Sequence, residues 1–238
     1  MENRKPGISQ EMLKLIACVT MLIDHIGVAI IERLSFPGMV PCYFVCRIIG
    51  RVAFPIYCFL LVEGMRRTKS PLKYILRLGV GVLLSELPFD LIFRGGFSWT
   101  YQSVMVTLSL GAVMLLCIQK TDKKWLQALL VVPFAVLAEL AKCDYGGWGI
   151  AMIAAFALLD KFSLRFVGVL LVSALMPSAG ICVFGVFFSI ELVAILAMLP
   201  IHFYSGRKLS YNKAIQWAFY LFYPAHLLIL RLFLIFVR

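Results

Sequence analysis

Charged residues are scarce in this chain of 238 residues: only 15% are Asp, Glu, Lys or Arg, whereas 62% are hydrophobic and the mean hydropathy is +0.95. A soluble domain carries about 25% charged residues. The sequence also has no internal repeat, no low-complexity tract and no segment of soluble composition. These absences exclude a soluble enzyme and a repeat array. We therefore predict an all-α, polytopic transmembrane bundle with a single integral membrane domain over residues 1–238.

Cysteine patterning excludes another class of site. The seven cysteines are scattered, with no Cys-x-x-Cys pair and no histidine at zinc-binding spacing, so we predict no metal centre. Most of the cysteines should be small core residues. An external disulfide stays open as an alternative, because four cysteines fall in predicted outer connections: Cys42, Cys46, Cys143 and Cys182.

The basic residues, which give the chain a net charge of +11, lie mainly in short connections between apolar runs. In a membrane protein such residues orient the helices, so we predict no nucleic-acid partner. The densest positive cluster, 66–77, should lie in the cytoplasm. From this anchor we predict about nine spans (eight to ten), with the N-terminus cytoplasmic and the C-terminus outside. The predicted spans are 13–34, 48–65, 72–93, 103–118, 125–140, 148–159, 164–176, 181–204 and 214–237.

The first apolar run, 13–34, contains Asp24 and His25 side by side. The run is too long for the core of a cleavable signal peptide, so we expect it to remain as a span. At about 1.5 Å per residue, His25 lies about 18 Å from residue 13, near the middle of a hydrocarbon core about 30 Å thick. An unpaired charge at that depth costs at least about 3 kcal/mol, so we expect this pair to be functional.

Two further pairs of charged residues lie four positions apart, and each pair therefore shares one helical face. Arg47 and Arg51 are at the start of the second span, and Glu86 and Asp90 are in the third at a matching depth. A guanidinium group cannot lose its proton, so both arginines must face carboxylates, an anionic ligand or water. Among carboxylates, we expect Glu86 or Asp90 to be the partner of Arg51. Arg47, nearer a span end, could instead extend toward the interface.

Other polar residues lie deep in predicted spans or near their ends. Glu63 and Arg77 lie toward the cytoplasmic side and could form a structural pair. Four more candidates lie near mid-bilayer or at an outer mouth: Glu191, His226, Asp144 and Tyr145. Asp144 could also be a solvated loop residue, so its role stays open.

Several of these segments together resemble the TraX family of integral membrane proteins, whose named member acetylates the N-terminus of F-pilin. The resemblance covers nearly the whole chain. The segments that carry it are LKLI (13–16), MLIDHIG (21–27), RIIGRVAFP (47–55), LLVEG (60–64), SELPFDL (85–91), TLSLG (107–111), DYG (144–146) and FYPAHL (222–227). The last segment is also similar to the closing helix of the larger membrane acyltransferase superfamily, from which our count of nine rather than ten spans departs.

This resemblance implies a multi-pass enzyme of the bacterial inner or plasma membrane. It would move an acetyl group from cytoplasmic acetyl-CoA to an amine or hydroxyl of a membrane or exported acceptor, such as a protein N-terminus or a glycan. The implied catalytic residues are His25 as general base, Asp24 or Glu86 to hold its tautomer, and His226. The implied substrate-binding residues are Arg47, Arg51, Asp90, Asp144, Tyr145, Glu191 and Tyr223. The implied acetyl-CoA-binding residues are Arg66, Arg67, Arg77 and Glu63.

A proton-coupled transporter is the alternative hypothesis, because buried carboxylates and histidines can also form a proton relay. Transporters of this kind often contain internal repeats with paired broken helices, and the sequence shows none. The expected partners are therefore the lipid bilayer, acetyl-CoA and an acceptor of unknown identity. The sequence does not predict an oligomeric state.

Overall fold

The computed structural model describes residues 7–31, 37–178, 180–183, 186–207 and 212–236. Within these residues helices dominate, and one short β-hairpin interrupts them. The α-helices are α1 (Gln10–Ile26), α2 (Val40–Gly50), α3 (Ala53–Arg67), α4 (Pro71–Phe93), α5 (Val104–Ile118), α6 (Lys124–Leu140), α7 (Gly146–Leu158), α8 (Phe162–Leu175), α9 (Met198–His202) and α10 (Lys213–Phe236). The other elements are a π-helical turn (Gly27–Ile31), two 3-10 helices (Pro37–Met39 and Ile190–Ala197), and the strands β1 (Gly180–Val183) and β2 (Val186–Ser189).

Helix α3 forms the centre of the bundle. Ten of its 15 residues are buried, on all sides of the helix. A helix that is apolar all round must be surrounded by other elements. Helices α1, α5, α7 and α9 and the 3-10 helix Ile190–Ala197 pack around it. Helices α4 and α10 pack against each other, and α10 also contacts α1, which brings the last helix of the chain beside the first.

Three helical segments are long enough and apolar enough to cross a membrane: Gln10–Ile31, Val40–Arg67 and Ala214–Phe236. Large apolar side chains also remain exposed on the outside of the bundle; Leu83 is 78% exposed and Phe236 is 85% exposed. A soluble protein rarely exposes so much contiguous apolar surface. The predicted helical architecture is therefore confirmed, and the apolar segments are those of a membrane protein.

The predicted start of the second span, at residue 48, is wrong. The structure begins α2 at Val40, so Cys42 and Cys46 lie in a helix and not in a connection. Pro41 explains the difference, since proline fits the first turn of a helix, where its missing N–H group needs no partner.

The eighth predicted span, 181–204, is not one continuous helix. Strands β1 and β2 pair antiparallel, with Ile181 opposite Phe188, before the chain turns into the 3-10 helix and α9. Valine and phenylalanine in this apolar run favour strands, and short apolar runs do not distinguish helix from strand. Cys182 lies in β1, but its side chain is outside the described set. The other six cysteines are free thiols, so no disulfide joins Cys42, Cys46 and Cys143.

Candidate active site

Four charged side chains from three parts of the chain form one network, called here the charge network: Asp24, Arg47, Arg51 and Glu191. Arg47 Nη1 donates to Asp24 Oδ2 at 2.6 Å, and Arg51 Nη2 donates to Asp24 Oδ1 at 3.0 Å. Arg51 Nη1 donates to Glu191 Oε1 at 2.6 Å. The side chains of Asp24, Arg51 and Glu191 are 12%, 7% and 5% exposed. Two guanidinium groups and two carboxylates make the network neutral, which is how charges are retained in a bundle of low dielectric constant.

Two glycines allow α1 and α2 to approach closely enough for this network. A Cβ atom on Gly50 would collide with the Asp24 carboxyl group, and one on Gly27 would lie 2.7 Å from Cys46 Cβ. Both glycines are buried. Each of the two sequence motifs, around Asp24 and around Arg47, carries a glycine because the facing helix occupies the space that a larger side chain would need.

The expected pairing of Arg51 with Glu86 or Asp90 is not what the structure has. Glu86 Oε1 accepts hydrogen bonds from Ser103 N at 3.1 Å and Ser103 Oγ at 2.6 Å, and Asp90 Oδ2 accepts from Ser98 N at 2.9 Å. Both carboxylates share a face of α4, as predicted, but that face lies against the connection into α5. Depth in the membrane does not fix which way a helix face points. Asp90 is 1% exposed, and among the described residues its Oδ1 has no hydrogen-bond partner.

A pair of histidines joins the first and last helices. His25 Nδ1 lies 2.6 Å from His226 Nε2, with the ring centroids 4.9 Å apart and the ring planes inclined by 13°. His226 Nδ1 lies 2.7 Å from the carbonyl oxygen of Phe222, one turn earlier on α10. We expected Asp24 or Glu86 to hold the tautomer of His25. Asp24 instead faces the arginines, because adjacent residues on a helix point about 100° apart.

Aromatic rings surround the histidine pair. The rings of Phe93 and Tyr223 contact His25 edge-on, with centroids 5.7 and 6.0 Å away. Tyr223 is buried. Asp24 of the charge network directly precedes His25 on α1. The histidine pair therefore lies between a mostly aromatic wall and the charge network.

An open cavity of about 600 Å³ lies over the charge network. Five of the seven predicted substrate-binding residues line it: Arg47, Arg51, Asp144, Tyr145 and Glu191. Asp90 and Tyr223 are not among its lining residues in the described part of the chain. The sequence analysis missed several others, including Tyr43, Phe44, Tyr101, Glu139 and Trp148. Of these, only the aromatic residues are visible as a pattern in the sequence, because Trp and Tyr lie near span ends. The same pattern is typical of membrane interfaces, so it does not identify a cavity.

The loop before α7 places Asp144 and Tyr145 at this cavity. Tyr145 has a φ of 63°, a left-handed conformation that is uncommon for a residue with a side chain. Its ring stacks on Phe54 at 3.8 Å, which holds it over the start of α3. Asp144 Oδ1 accepts from the Tyr101 hydroxyl at 2.8 Å. Burial raises the pKa of Asp144, although the Tyr101 hydrogen bond and the charge of Arg51 partly oppose this shift.

The far end of α3 carries a second charged group, called here the basic end: Glu63, Arg66 and Arg67. Arg67 Nη2 pairs with Glu63 Oε2 at 2.8 Å, and Arg67 Nη1 donates to the carbonyl oxygen of Gly206 at 2.7 Å. Arg66 Nη2 donates to the carbonyl oxygen of Ala157 at 2.7 Å.

The suggested pair of Glu63 with Arg77 is therefore wrong. Glu63 and Arg67 are four residues apart on the same helix and meet without help from tertiary structure. The Arg77 guanidinium group lies over the ring of Tyr74, 5.7 Å from its centroid. The side chains of Arg66, Arg67 and Arg77 are all exposed, so phosphate groups could reach them. Binding of a coenzyme at these residues stays a prediction.

Comparisons with known proteins give a family for the chain. The family model described as "TraX protein" matches residues 9–234. The "Probable fimbrial assembly protein FimC, serogroup H1" of Dichelobacter nodosus is 27% identical over 241 residues, which is 96% of each chain. An uncharacterized protein of Rickettsia prowazekii (strain Madrid E) is 40% identical over 50 residues, covering 21% of this chain and 16% of that protein. No solved structure matches the chain.

Proposed function

Because this chain belongs to the TraX family, we propose that it is a multi-pass membrane acetyltransferase that moves an acetyl group from acetyl-CoA to an amine or hydroxyl acceptor. The observation that carries this proposal is the contact between His25 and His226, which come from opposite ends of the chain. His226 is buried and His25 is half-buried, and two ionisable side chains in contact between helices of a bundle are an arrangement expected of a proton-transfer site.

In this proposal the two substrates approach from opposite ends of the bundle. Helix α3 begins shortly after Arg51, which lines the cavity, and ends at Arg67. At about 1.5 Å per residue, Arg51 and Arg67 are about 24 Å apart along the chain. The exposed arginines of the basic end suit the phosphates of a coenzyme. The cavity suits an acceptor, because its walls combine aromatic rings with hydrogen-bonding groups. The predicted cytoplasmic position of residues 66–77 agrees with this assignment of sides.

His25 has the central chemical role. Its imidazole takes the proton from the acceptor N–H or O–H group as that group attacks the thioester carbonyl. The same proton then protonates the sulfur that leaves with the coenzyme, so one C–S bond breaks, one C–N or C–O bond forms, and no proton is left over. Arg47, which is 21% exposed, lies at the edge of the cavity and supplies positive charge near the developing oxyanion.

The acceptor class follows from the relative named for fimbrial assembly. If this chain acts in a similar context, its acceptor is a free amine or hydroxyl of an exported fibre subunit. Mass spectrometry of exported proteins and surface glycans, from cells with and without the gene, tests this directly. The proposal expects acetyl groups that disappear with the gene.

Binding of the donor is the second test. Calorimetry on the purified protein should show acetyl-CoA binding at a micromolar to millimolar Kd. Arg66→Gln should weaken it by about tenfold, or about 1.4 kcal/mol. Lys124→Gln is the matched control, since Lys124 is also exposed, pairs only loosely with Asp160 at 3.5 Å, and should change Kd little. No response to acetyl-CoA, together with proton-driven solute uptake into proteoliposomes, would favour the transporter instead.

A further inference from the structure

We propose that His226 is a positioning residue that fixes His25 in the tautomer with its proton on Nδ1 and its lone pair on Nε2. The consequence for catalysis rests on the proposed function, whereas the tautomer itself does not. His226 lies on α10, 201 positions from His25, and replaces the carboxylate that usually orients a catalytic histidine.

The argument starts at the backbone of α10. The carbonyl oxygen of Phe222 can only accept a hydrogen bond. His226 Nδ1 is 2.7 Å from that oxygen, so Nδ1 must carry a proton. A neutral imidazole has one proton, and His226 Nε2 is therefore the unprotonated, accepting nitrogen.

The next step is the contact between the two rings. His226 Nε2 lies 2.6 Å from His25 Nδ1, so one of these nitrogens must donate to the other. Because His226 Nε2 is the acceptor, His25 Nδ1 carries the proton. The remaining nitrogen of His25, Nε2, then has the free lone pair that a general base needs.

The reverse polarity would require a protonated His226, which would donate from Nε2 and leave the lone pair of His25 facing it. The surroundings oppose that state. Phe93 of α4 and Tyr223 of α10 lie edge-on to His25, so the pair has aromatic neighbours. An apolar surrounding of this kind disfavours a second proton on His226 in the resting protein.

The pairing also serves the reaction step. When His25 Nε2 takes the acceptor proton, His25 becomes an imidazolium ion with protons on both nitrogens. Its Nδ1–H group is already donated to His226 Nε2, so the new charge forms against an oriented acceptor without rearrangement. Return of the Nε2 proton to the leaving sulfur restores the starting tautomer, and His226 keeps its own proton throughout.

Nitrogen-15 NMR of the protein labelled at its three histidines tests the tautomer. At neutral pH we expect His25 to show a proton-coupled Nδ1 and an uncoupled Nε2, and His226 to show the same pattern. The His202→Gln variant assigns the third set of signals. A proton on His25 Nε2 would overturn the proposal, whether or not the protein transfers an acetyl group.

Two variants at one position test the positioning role. His226→Asn retains a donor near the Phe222 carbonyl but is too short to reach His25. His226→Gln places an acceptor oxygen near the position of Nε2. We expect Asn to lower kcat by about 10²-fold or more with little change in KM, and Gln to recover most of that loss. We expect the Asn variant to lose the fixed His25 tautomer and the Gln variant to retain it.

Equal activity loss in both variants, with the His25 tautomer unchanged in each, would contradict the proposal and leave His226 a packing residue. A wild-type protein with the expected His25 tautomer but no acetyl transfer would instead overturn the proposed function and uphold the hydrogen-bond assignment. The NMR and kinetic results therefore separate the two failures.

Discussion

Arg51 and Glu191 meet at 2.6 Å although 140 residues separate them in the chain. Arg51 precedes α3, and Glu191 is the second residue of the 3-10 helix that follows the β-hairpin. Through Asp24, the same arginine also contacts α1. One guanidinium group therefore links three segments of the bundle under the cavity, and loss of its charge should affect both folding and function.

The first prediction concerns the charge balance of this network. Arg51→Met leaves two carboxylates facing one arginine, so we expect it to destabilise the protein by about 3–5 kcal/mol. Adding Glu191→Gln restores the balance, so the double variant should recover much of the lost thermal stability and expression. Thermal unfolding in detergent is the measurement.

Arg51→Met combined with Glu86→Gln is the matched control for that experiment. It removes the same number of charges, but Glu86 is bonded to Ser103 and not to Arg51. We expect no recovery. Recovery with Glu86→Gln and not with Glu191→Gln would contradict the pairing that the structure shows.

The second prediction concerns the close approach of α1 and α2. Gly50→Ala places a methyl group against the Asp24 carboxyl and should destabilise the protein, by about 1–3 kcal/mol for an overpacked site. Gly79→Ala is the control, because a Cβ atom there meets nothing within 4 Å and alanine favours a helix by about 1 kcal/mol. Tm should fall for Gly50→Ala and stay level or rise for Gly79→Ala. The opposite order would refute the contact.

The helical class and the need of Asp24 and the arginine pair for charged partners could be predicted from the sequence, because buried charge is costly in an apolar segment whatever its partner. The partners themselves could not. Which carboxylate meets Arg51 depends on how each helix is rotated, and the hydrophobic pattern of a lipid-facing helix such as α4 says little about rotation. Depth along the sequence favours Glu86 and Asp90 as partners of Arg51, since the sequence places Glu191 near mid-bilayer.

The contact between His25 and His226 also could not be predicted from the sequence. Their similar depth was predictable, but the packing of α10 beside α1 is a tertiary fact. The β-hairpin was missed for a different reason, since its valine and phenylalanine residues fit an apolar helix as well as a strand. The sequence placed Asp144 and Tyr145 at an outer mouth, where the structure has the cavity, but it did not distinguish a cavity residue from a solvated loop residue.

The third prediction is a pH effect at Asp144. Burial raises the pKa of this carboxyl above the ordinary aspartate value of about 3.9, so as pH falls the folded protein binds a proton before the unfolded chain does. The stability from this group therefore rises as pH falls through the folded-state pKa and is lost as pH rises through it. Asp144→Asn removes the effect and keeps an oxygen that can accept from Tyr101.

The Tm of the wild type minus that of Asp144→Asn should therefore increase as pH is lowered from about 7 toward 4. Scanning fluorimetry in detergent measures both proteins in the same buffers. A difference that is independent of pH, or that shrinks as pH falls, would contradict a raised pKa.

The fourth prediction concerns topology, which follows from the basic connections. Cysteine-accessibility labelling should find residues 66–73, 120–124 and 207–213 cytoplasmic and residues 94–101 outside. The cavity residues Lys142 and Ser178 should then label from outside. Labelling of the Arg66 region from outside would reverse the predicted entry sides of donor and acceptor.

The role of His25 as general base is the central claim, and the measurement that tests it most directly is acetyl transfer by His25→Gln. Glutamine keeps a similar shape and a hydrogen bond but cannot accept a proton, so activity should fall by about 10²- to 10⁴-fold while expression and Tm stay near those of the wild type. His202→Gln is the matched control, since His202 packs between Phe162 and Phe203, outside the charge network and the histidine pair, and should retain activity. The account predicts an inactive, folded His25→Gln protein beside an active His202→Gln protein, and full acetylation by His25→Gln would contradict it.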